Sequence, residues 1–518
     1  MKKIYILLCL TALTACMKDL DQRPVTATEA DATEVYSTPE GFRSVLAKLY
    51  ASFTIVGQEK GGGNADMASN NGQDFLRCYF NLQEAPTDEV ACTWLSGDKI
   101  EAITFMTWDA SDPWVADVYY RLYYSIALCN EFLRHTDSSV LPAADAATMR
   151  DEARFLRALA YWAVLDLFGQ GPFVDETMPV GAFTPEAYDS VKLFGFIEKE
   201  LKEKTLPSRT AVEYGRASQG AAWTLLARLY LNAETYGAGD HYTDCITYCK
   251  KVRGEGYSLE SDWSKLFNAD NNLRTNEIIF PFVVDATNTV TWGSTTHVIC
   301  GQVGNENNQN PADYGLEKGW GMFRVRGELP ALFGNVATTK DSRCKFYTAD
   351  SQQWFTGNID NQGEGYFSEK WSNLKDDGTA ASASAESGVS TDWPMFRLAE
   401  VYLMEAEAVL RAGQGTTRAE ALGLFNDLRQ RAYGDATGNV ADGDFKLDLI
   451  LDERARELYH EAVRRTDLRR FGKFTTNAYI WQWKGGALAG RAVDDKYNIY
   501  PIPAAELSAN TNLKNAKY

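Results

Sequence analysis

The chain has 518 residues, 45% of them hydrophobic and 24% charged, with 70 acidic against 52 basic side chains and a formal charge of −18. That length supports a large core or several domains, and the acidic balance excludes nucleic-acid binding through a general basic field. Neutral ligands such as sugars tolerate an acidic surface, and the 13 tryptophans and 26 tyrosines supply many flat rings.

Lys2 and Lys3 precede a short apolar run, Ile4 to Leu13, too short to span a bilayer. The run ends in Leu13-Thr14-Ala15-Cys16, small residues before a cysteine, which looks like a bacterial lipobox. On this reading residues 1–15 are a lipoprotein signal peptide, Cys16 carries the lipid (palmitate among its chains), and residues 16–35 are a tether. Seven cysteines remain after Cys9 and Cys16 are set aside: Cys78, Cys92, Cys129, Cys245, Cys249, Cys300 and Cys344. An odd number at irregular spacing is no disulfide framework, and buried thiols are expected. Cys245 and Cys249 stand four apart without a histidine to complete a metal site.

Ser37, Pro39 and Glu40 open a helix with a serine-to-glutamate capping spacing, and Val45, Leu46, Leu49 and Phe53 form its apolar side. A Gly/Asn-rich loop follows from Gly57 to Gly72, then an aromatic, irregular stretch from Phe75 to Trp114. Trp114 to Leu133 reads as a helix that buries Tyr119, Leu122, Tyr123, Ile126 and Cys129. The stretch from Arg150 to Val174 organises the rest. Ala153, Leu156, Ala160, Ala163 and Leu167 form one apolar seam, and Phe155, Leu159 and Trp162 form a second. A helix apolar on two sides is sandwiched between neighbours; Gly169, Gly171 and Pro172 end it.

Further helices are predicted over Asp189–Glu203, Ala217–Ala233 and Tyr242–Val252, at roughly the 34-residue period of tetratricopeptide repeats. Tyr257 to Ser390 reads as loops and short strands: Glu277 to Val284 is strand-like, Asn305 to Pro311 a polar loop, and Asp376 to Ser390 Gly/Ala/Ser-rich and mobile. Helices resume over Trp393–Ala412, Arg418–Ala432 and Leu447–Phe471, and the tail from Phe474 to Tyr518 holds WQWKGG and YPIPAAEL. The expected fold is all-α dominated, with tetratricopeptide-like helix pairs and an irregular loop-rich insertion. One domain spans 36–518: helical-repeat parts at about 36–255 and 393–471, the insertion at about 256–392, and a C-terminal segment at 472–518.

Glu453, Arg454, Arg456, Glu457, Glu461, Arg464, Arg465, Asp467, Arg469 and Arg470 alternate in sign at helical spacing, which predicts a structural ion-pair network rather than an active site. The four histidines, His135, His241, His297 and His460, are scattered. No cofactor is indicated. A structural calcium could draw oxygen ligands from Asp270, Asn271, Asn272 and Asp392, although Asn272 and Ser390 stand where carboxylates would strengthen such a set.

Three motifs then carry a resemblance. RALAYWAVLDLFGQGPFV, WPMFRLAEVYLMEAEAVL, and ERARELYHEAVRRTDLRRFGKF followed by YPIPAAEL resemble, in order and spacing, the SusD/RagB family of Bacteroidetes outer-membrane nutrient-binding lipoproteins. Asp19 and Asp21 after Cys16 resemble the surface-export signal of such lipoproteins. RCYFNLQEAPTDEV with Trp94 beyond it, and FGKFTTNAYIWQWKGGALAG, are similar to the starch-binding members. The resemblance covers essentially the whole chain. It implies an α-helical fold with tetratricopeptide-like units and no catalysis. It also implies lipid anchoring on the outer membrane, binding of starch or maltooligosaccharides, and delivery to a SusC-like TonB-dependent transporter.

Sugar capture has its own physical logic. A pyranose has an apolar C–H face on which aromatic rings stack and a rim of hydroxyls that a few polar groups fix. Helical starch is curved, so rings set in an arc contact successive glucose units. Each stack adds about 0.5–1.5 kcal/mol beyond burial, and two or three give a dissociation constant on the order of micromolar to millimolar. By matching motifs, the resemblance places Trp94 (PTDEVACTW) and Trp320 (KGWGMF) in the arc, with Arg77 (DFLRCYFN) as a hydroxyl partner and Asp98 near the expected polar partner. The family member's third ring is a tyrosine before a GST stretch; here Trp292, in Thr291-Trp292-Gly293-Ser294-Thr295, substitutes from an adjacent position and would alter the curvature. Tyr314, Trp108, Trp481 and Trp483 read as packing. Two other readings make different demands: a glycoside hydrolase needs paired carboxylates, for which Asp88, Glu89 and Asp98 are at hand, and a peptide-binding scaffold would use the concave helical groove. A glycan other than starch is the alternative within the family.

Overall fold

The two-seam helix sits where its pattern puts it. It runs over Ala143–Phe168, starting about two turns before the Arg150 at which the pattern begins, and every side chain from Phe155 to Phe168 is buried. Gly169 ends it in the left-handed region, φ 68°, with its N–H closing on the Leu165 carbonyl. A computed structural model describes residues 31–62, 64–68, 73–137, 140–202, 205–304, 309–348, 356–382 and 388–518. The signal peptide, Cys16 and nearly all of the tether lie outside the described residues, as do 305–308 of the polar loop and 383–387 of the Gly/Ala/Ser-rich stretch.

The described residues form α1 (Ala32–Val35), α2 (Pro39–Ala51), α3 (Phe75–Glu84), α4 (Glu101–Thr104), α5 (Pro113–His135), α6 (Ala143–Phe168), α7 (Ser190–Lys202) and α8 (Gln219–Leu231). After these come α9 (Tyr242–Gly254), α10 (Ser294–Gln302), α11 (Glu328–Ala331), α12 (Leu398–Leu410), α13 (Arg418–Tyr433), α14 (Leu447–Leu458), α15 (Arg464–Arg470) and α16 (Ala504–Ala509). Helix α6 packs between α5 and α7, α9 between α8 and α12, and α13 on α12. This is the helix-dominated stack that the periodicity predicts.

Strands are short and pair across long stretches of sequence. They are β1 (Val90–Cys92), β2 (Gln170–Pro172), β3 (Ala187–Asp189), β4 (Ile278–Phe282), β5 (Phe323–Val325), β6 (Phe346–Tyr347), β7 (Phe367–Ser368) and β8 (Trp393–Arg397). Four antiparallel pairs result: β1 with β5, β2 with β3, β4 with β8, and β6 with β7.

Five local expectations are corrected. The first large helix is capped by Thr38, whose side chain accepts from the Gly41 N–H, and not by Ser37; Pro39 still takes the first turn. Phe75–Glu84, read as irregular, is a helix: all ten residues are buried, although Arg77, Asn81 and Glu84 recur at helical spacing against Phe75, Leu76, Tyr79 and Phe80. The insertion holds helix α10, whose nine residues, STTHVICGQ, are also all buried. Trp393–Arg397, read as helix, is strand β8, with Trp393 opposite Phe282 and Arg397 opposite Ile278. Leu447–Phe471 is two helices, because His460 (φ 57°) and Ala462 (φ 59°) turn left-handed between them without glycine or proline to signal the break.

The charged cluster lies inside the protein, as a network. Glu457 pairs with Arg397 (2.6 Å), Arg343 (2.9 Å) and Arg431, and these arginines hold its carboxyl far below the usual range against the cost of burial. Arg470 grips Glu407 at 2.7 and 2.8 Å and Asp467 at 2.8 Å. Cys78, Cys92, Cys129, Cys245, Cys249 and Cys300 are free and buried, and Cys344 is free and half-buried.

Candidate functional site: an aromatic platform at the β1/β5 edge

Trp94 and Trp320 are 226 positions apart in sequence, and the β1/β5 ladder brings them together. Cys92 faces Phe323 in that ladder. The pairing runs on past the strand ends: the Thr93 N–H donates to the Met322 carbonyl (2.9 Å), and its hydroxyl to the Gly321 carbonyl (3.1 Å). One residue further on each side stand the two indoles, stacked with centroids 6.1 Å apart and planes 28° apart. Trp94 is 40% exposed and Trp320 half-buried.

The Trp320 loop is strapped to α10. Its N–H donates to the Cys300 carbonyl at 2.7 Å, and that of Gly321 to the Val303 carbonyl at 2.8 Å. Gly319 must be glycine, since a Cβ there would lie 2.0 Å from the Gly304 carbonyl oxygen. Beneath sits His297, its centroid 6.3 Å from Trp320, with Nε2 at 2.9 Å from Asn81 Oδ1. Burial and the neighbouring Arg77 charge push His297 well below the usual imidazole range, so it is neutral and donates from Nε2.

Trp292, the third ring of the set, is 49% exposed. Its loop is fixed by Asp74, which caps two helices at once. Asp74 Oδ1 accepts from the Arg77 N–H at 2.9 Å, the carboxylate also takes the Ser294 N–H at the start of α10, and Thr291 Oγ1 lies 3.3 Å from Oδ2. The approach is so close that a Cβ at Gly293 would fall 1.6 Å from Asp74 Oδ2.

Arg77 and Asp98 join the loops that carry Trp94 and Trp292. Arg77 Nη2 donates to both Asp98 oxygens, at 2.9 and 3.0 Å, and Nη1 donates to the Trp292 carbonyl at 3.0 Å. The Asp98 N–H returns to the Trp94 carbonyl at 3.0 Å, and its own carbonyl accepts from Trp114 Nε1 at 2.8 Å. The guanidinium also lies over the Trp114 ring, 5.4 Å from its centroid. Burial raises the Asp98 carboxyl, and Arg77 opposes that rise. The structure therefore brings Trp94, Trp320, Trp292, Arg77 and Asp98 into one connected unit, with the two charged residues 7% exposed.

Asp74, Trp114 and His297 escape the sequence reading. The signal for Asp74 is its N-cap place before the helical spacing of Arg77, Asn81 and Glu84; Trp114 and His297 carry none. Trp108 and Trp481 are buried in the core, and Trp483 and Tyr314 are half-buried. Asp88 and Glu89 are 1% exposed; Asp88 is clamped by Arg464 at 2.7 and 2.6 Å, so neither faces the platform. The oxygens considered for calcium are directed at protein donors: Asp392 Oδ1 accepts from the Val284 N–H (2.7 Å), Asp392 Oδ2 from the Tyr214 hydroxyl (2.6 Å), and Asp270 Oδ2 from the Asp376 N–H (2.9 Å). No group of three or more His, Cys, Asp or Glu among the described residues is placed to hold a metal ion.

A stack of helices that displays exposed tryptophans on tied-down loops has the form of a binding scaffold. The chain belongs to the SusD family: residues 226–518 match that family's profile. It is 33% identical to the starch-binding protein SusD of Bacteroides thetaiotaomicron, over 97% of this chain and 95% of that one. Its fold is shared with a SusD-like protein from Bacteroides fragilis (TM-score 0.72, 21% identity, 94% of this chain and 99% of that one). It is also shared with surface glycan-binding protein A from Bacteroides thetaiotaomicron in complex with laminarihexaose (TM-score 0.70, 18% identity, 92% and 99%).

Proposed function

We propose that this protein is a non-catalytic surface lipoprotein that captures starch-type α-glucans on the Trp94–Trp320–Trp292 platform and passes them to a SusC-like TonB-dependent outer-membrane transporter. The observation that carries the reading is the exposed Trp94 stacked beside Trp320. Two rings tilted by 28° present a bent apolar surface, which suits successive faces of a curved glucan better than a flat one. The similarity to SusD, a starch-binding protein by name, supports starch as the glycan. The position of Asp88 and Glu89, buried and away from the platform, argues against hydrolysis, which needs two carboxylates flanking the scissile bond.

Anchoring is proposed through lipid on Cys16. No helix among the described residues is long and apolar enough to cross a membrane. Metabolic labelling with a palmitate analogue checks this, with Cys16→Ala expected to lose the label and leave the membrane fraction.

The decisive experiment is isothermal titration of lipid-free protein with maltoheptaose and a cyclodextrin, run beside laminarihexaose. Heat with the α-glucans, abolished in a Trp94→Ala/Trp320→Ala variant that melts normally, is the expected result. Heat with laminarihexaose alone would overturn starch and favour a β-glucan, the ligand type seen with a structural relative. Release of reducing sugar from starch would overturn the non-catalytic reading.

A further inference from the structure

The loop that carries Trp94 has a second side. Leu95 and Ser96, the next two residues, line a cleft of about 690 Å³ together with Lys99, Glu101, Phe105 and Arg491, and it lies within the size range of small-molecule sites. Its lining starts at the residue that follows Trp94 in the chain. We propose that this cleft is a second carbohydrate subsite, built on the same loop that carries Trp94, that takes the hydroxyl-rich rim of longer or branched oligosaccharides. The inference rests on the glycan-binding reading above and extends it.

The lining is suited to a neutral polyol. Lys99 and Arg491 stand among Glu101, Asp109 and Asp112, so donors and acceptors alternate without a single-sign field that would select an ion. The two aspartates have structural work to do. Asp109 Oδ1 accepts from the Ser111 N–H and hydroxyl (2.7 and 2.6 Å), and Asp112 Oδ1 caps α5 through the Trp114 and Val115 N–H groups (2.9 and 3.2 Å). The exposed ends of Lys99, Glu101 and Arg491 are the groups that face solvent across the cleft. Phe105 adds a half-buried ring, steadied by Trp483 at 5.8 Å and 38°, whose Nε1 donates to the Thr356 carbonyl at 2.8 Å. Arg491 is itself aimed: its Nε donates to the Gly485 carbonyl at 2.9 Å, and a Cβ at Gly485 would lie 3.0 Å from Arg491 Cγ.

The backbone around the cleft is strained. Lys99 (φ 54°), Met106 (φ 55°) and Trp483 (φ 65°) are all left-handed without being glycine, and all three lie in or beside its walls. Each such conformation costs free energy that the surroundings must offset, and that kind of strain gathers where a binding surface is held in shape.

The test uses the full chain with Cys16→Ala and a maltooligosaccharide series from three to eight units, with the matching laminari-series as a second probe. A variant carrying Lys99→Asn, Glu101→Gln and Arg491→Ala changes only exposed side chains, and asparagine tolerates the left-handed backbone at Lys99. Phe105→Ala is the second variant. Affinity of the wild type should rise with length. In both variants the trisaccharide should bind as in wild type, while the longest members weaken about five- to tenfold. Unchanged affinities along the whole series in the triple variant would overturn the second subsite and leave the platform standing. No binding of either series by wild-type protein would overturn both.

Discussion

Arg77 donates to both carboxylate oxygens of Asp98 from a single guanidinium nitrogen, at 2.9 and 3.0 Å, in a place where each side chain is less than a tenth exposed. The pair ties the Trp94 loop to the Trp292 loop, since Arg77 also holds the Trp292 carbonyl and Asp98 the Trp94 carbonyl. Removing one member leaves the other buried and uncompensated. Arg77→Ala should therefore lower stability by about 3–5 kcal/mol and weaken glycan binding as well, because both loops lose their common anchor. Thermal melts and titration of the same sample check both. Wild-type affinity in a destabilised Arg77→Ala would show that the loops hold their places without it.

The stacked indoles predict a different signature. Trp94 is 40% exposed, so Trp94→Ala should leave the melting temperature within a degree or two while costing about tenfold in affinity. Trp320→Ala, half-buried and packed near His297, should cost both affinity and stability. A double-mutant cycle should show the two losses to be coupled, since the rings touch one ligand side by side. Strict additivity would mean that they contact separate ligands.

Legibility followed burial pattern. The helix at Ala143–Phe168 was readable because its two apolar seams recur at helical spacing and a glycine stops it. Helix α3, which carries Arg77, has Arg77, Asn81 and Glu84 at helical spacing, but it is only ten residues long and runs into an aromatic stretch broken by Pro86, Gly97 and Pro113. Its polar side is buried and satisfied by partners far off in sequence, Gln83, for example, donating to Asp166 at 2.9 Å. The break after α14 was hidden for a similar reason. Its turn is paid for by tertiary caps, the Glu89 carboxylate accepting from the His460 N–H (3.1 Å) and Glu84 from that of Val463 (3.2 Å), and no local residue type announces them. At the site, motif resemblance supplied Trp94, Trp320 and Arg77, but only the β1/β5 pairing shows why residues so far apart share a face. The ion pair between Arg77 and Asp98 is a fact of three dimensions that neither motif contains.

Glu457 anchors the buried charge network through Arg343, Arg397 and Arg431, and all four side chains are almost wholly buried. Glu457→Gln keeps the shape but removes the charge that three guanidinium groups share. The expected loss is about 3–5 kcal/mol of stability, with glycan affinity unchanged in the folded fraction. Denaturant unfolding with a parallel titration separates the two. A melt like that of wild type would mean that the arginines redistribute onto Glu277, Glu453 and Glu461 at little cost.

Calcium removal gives a sharper test than calcium addition. The carboxylate oxygens of Asp392 are already occupied by the Val284 N–H and the Tyr214 hydroxyl, and burial pushes the Asp392 carboxyl up to about 6. A hard cation there would have to displace both donors and find further oxygens. EDTA treatment should therefore leave the melting temperature unchanged. A fall of several degrees, restored by calcium, would establish a structural ion at this place.

The acid side of the stability profile should be set in part by His460. Burial, with the Lys370 charge beside it, pushes this imidazole down to about 3, so it is neutral in the folded protein. Unfolded, it takes a proton near 6.5. Its contribution is thus complete above pH 6.5 and is lost progressively as the pH falls toward 3. Glu89 runs the other way. Burial and the Asp88 charge push it up to about 7 against the pull of Arg464, so its contribution is complete below pH 4.5 and is lost as the pH rises through 7. The two trends cross in the weakly acidic range, where the wild-type profile should be flat. His460→Asn tolerates the left-handed φ of 57° and removes the first trend alone. Its free energy of unfolding, followed from pH 4 to 8 by denaturant titration, should rise relative to wild type as the pH falls below 6.5, by an amount on the order of a few kcal/mol at pH 4. A constant offset between the two profiles would mean that the His460 ring does not stay neutral in the folded state.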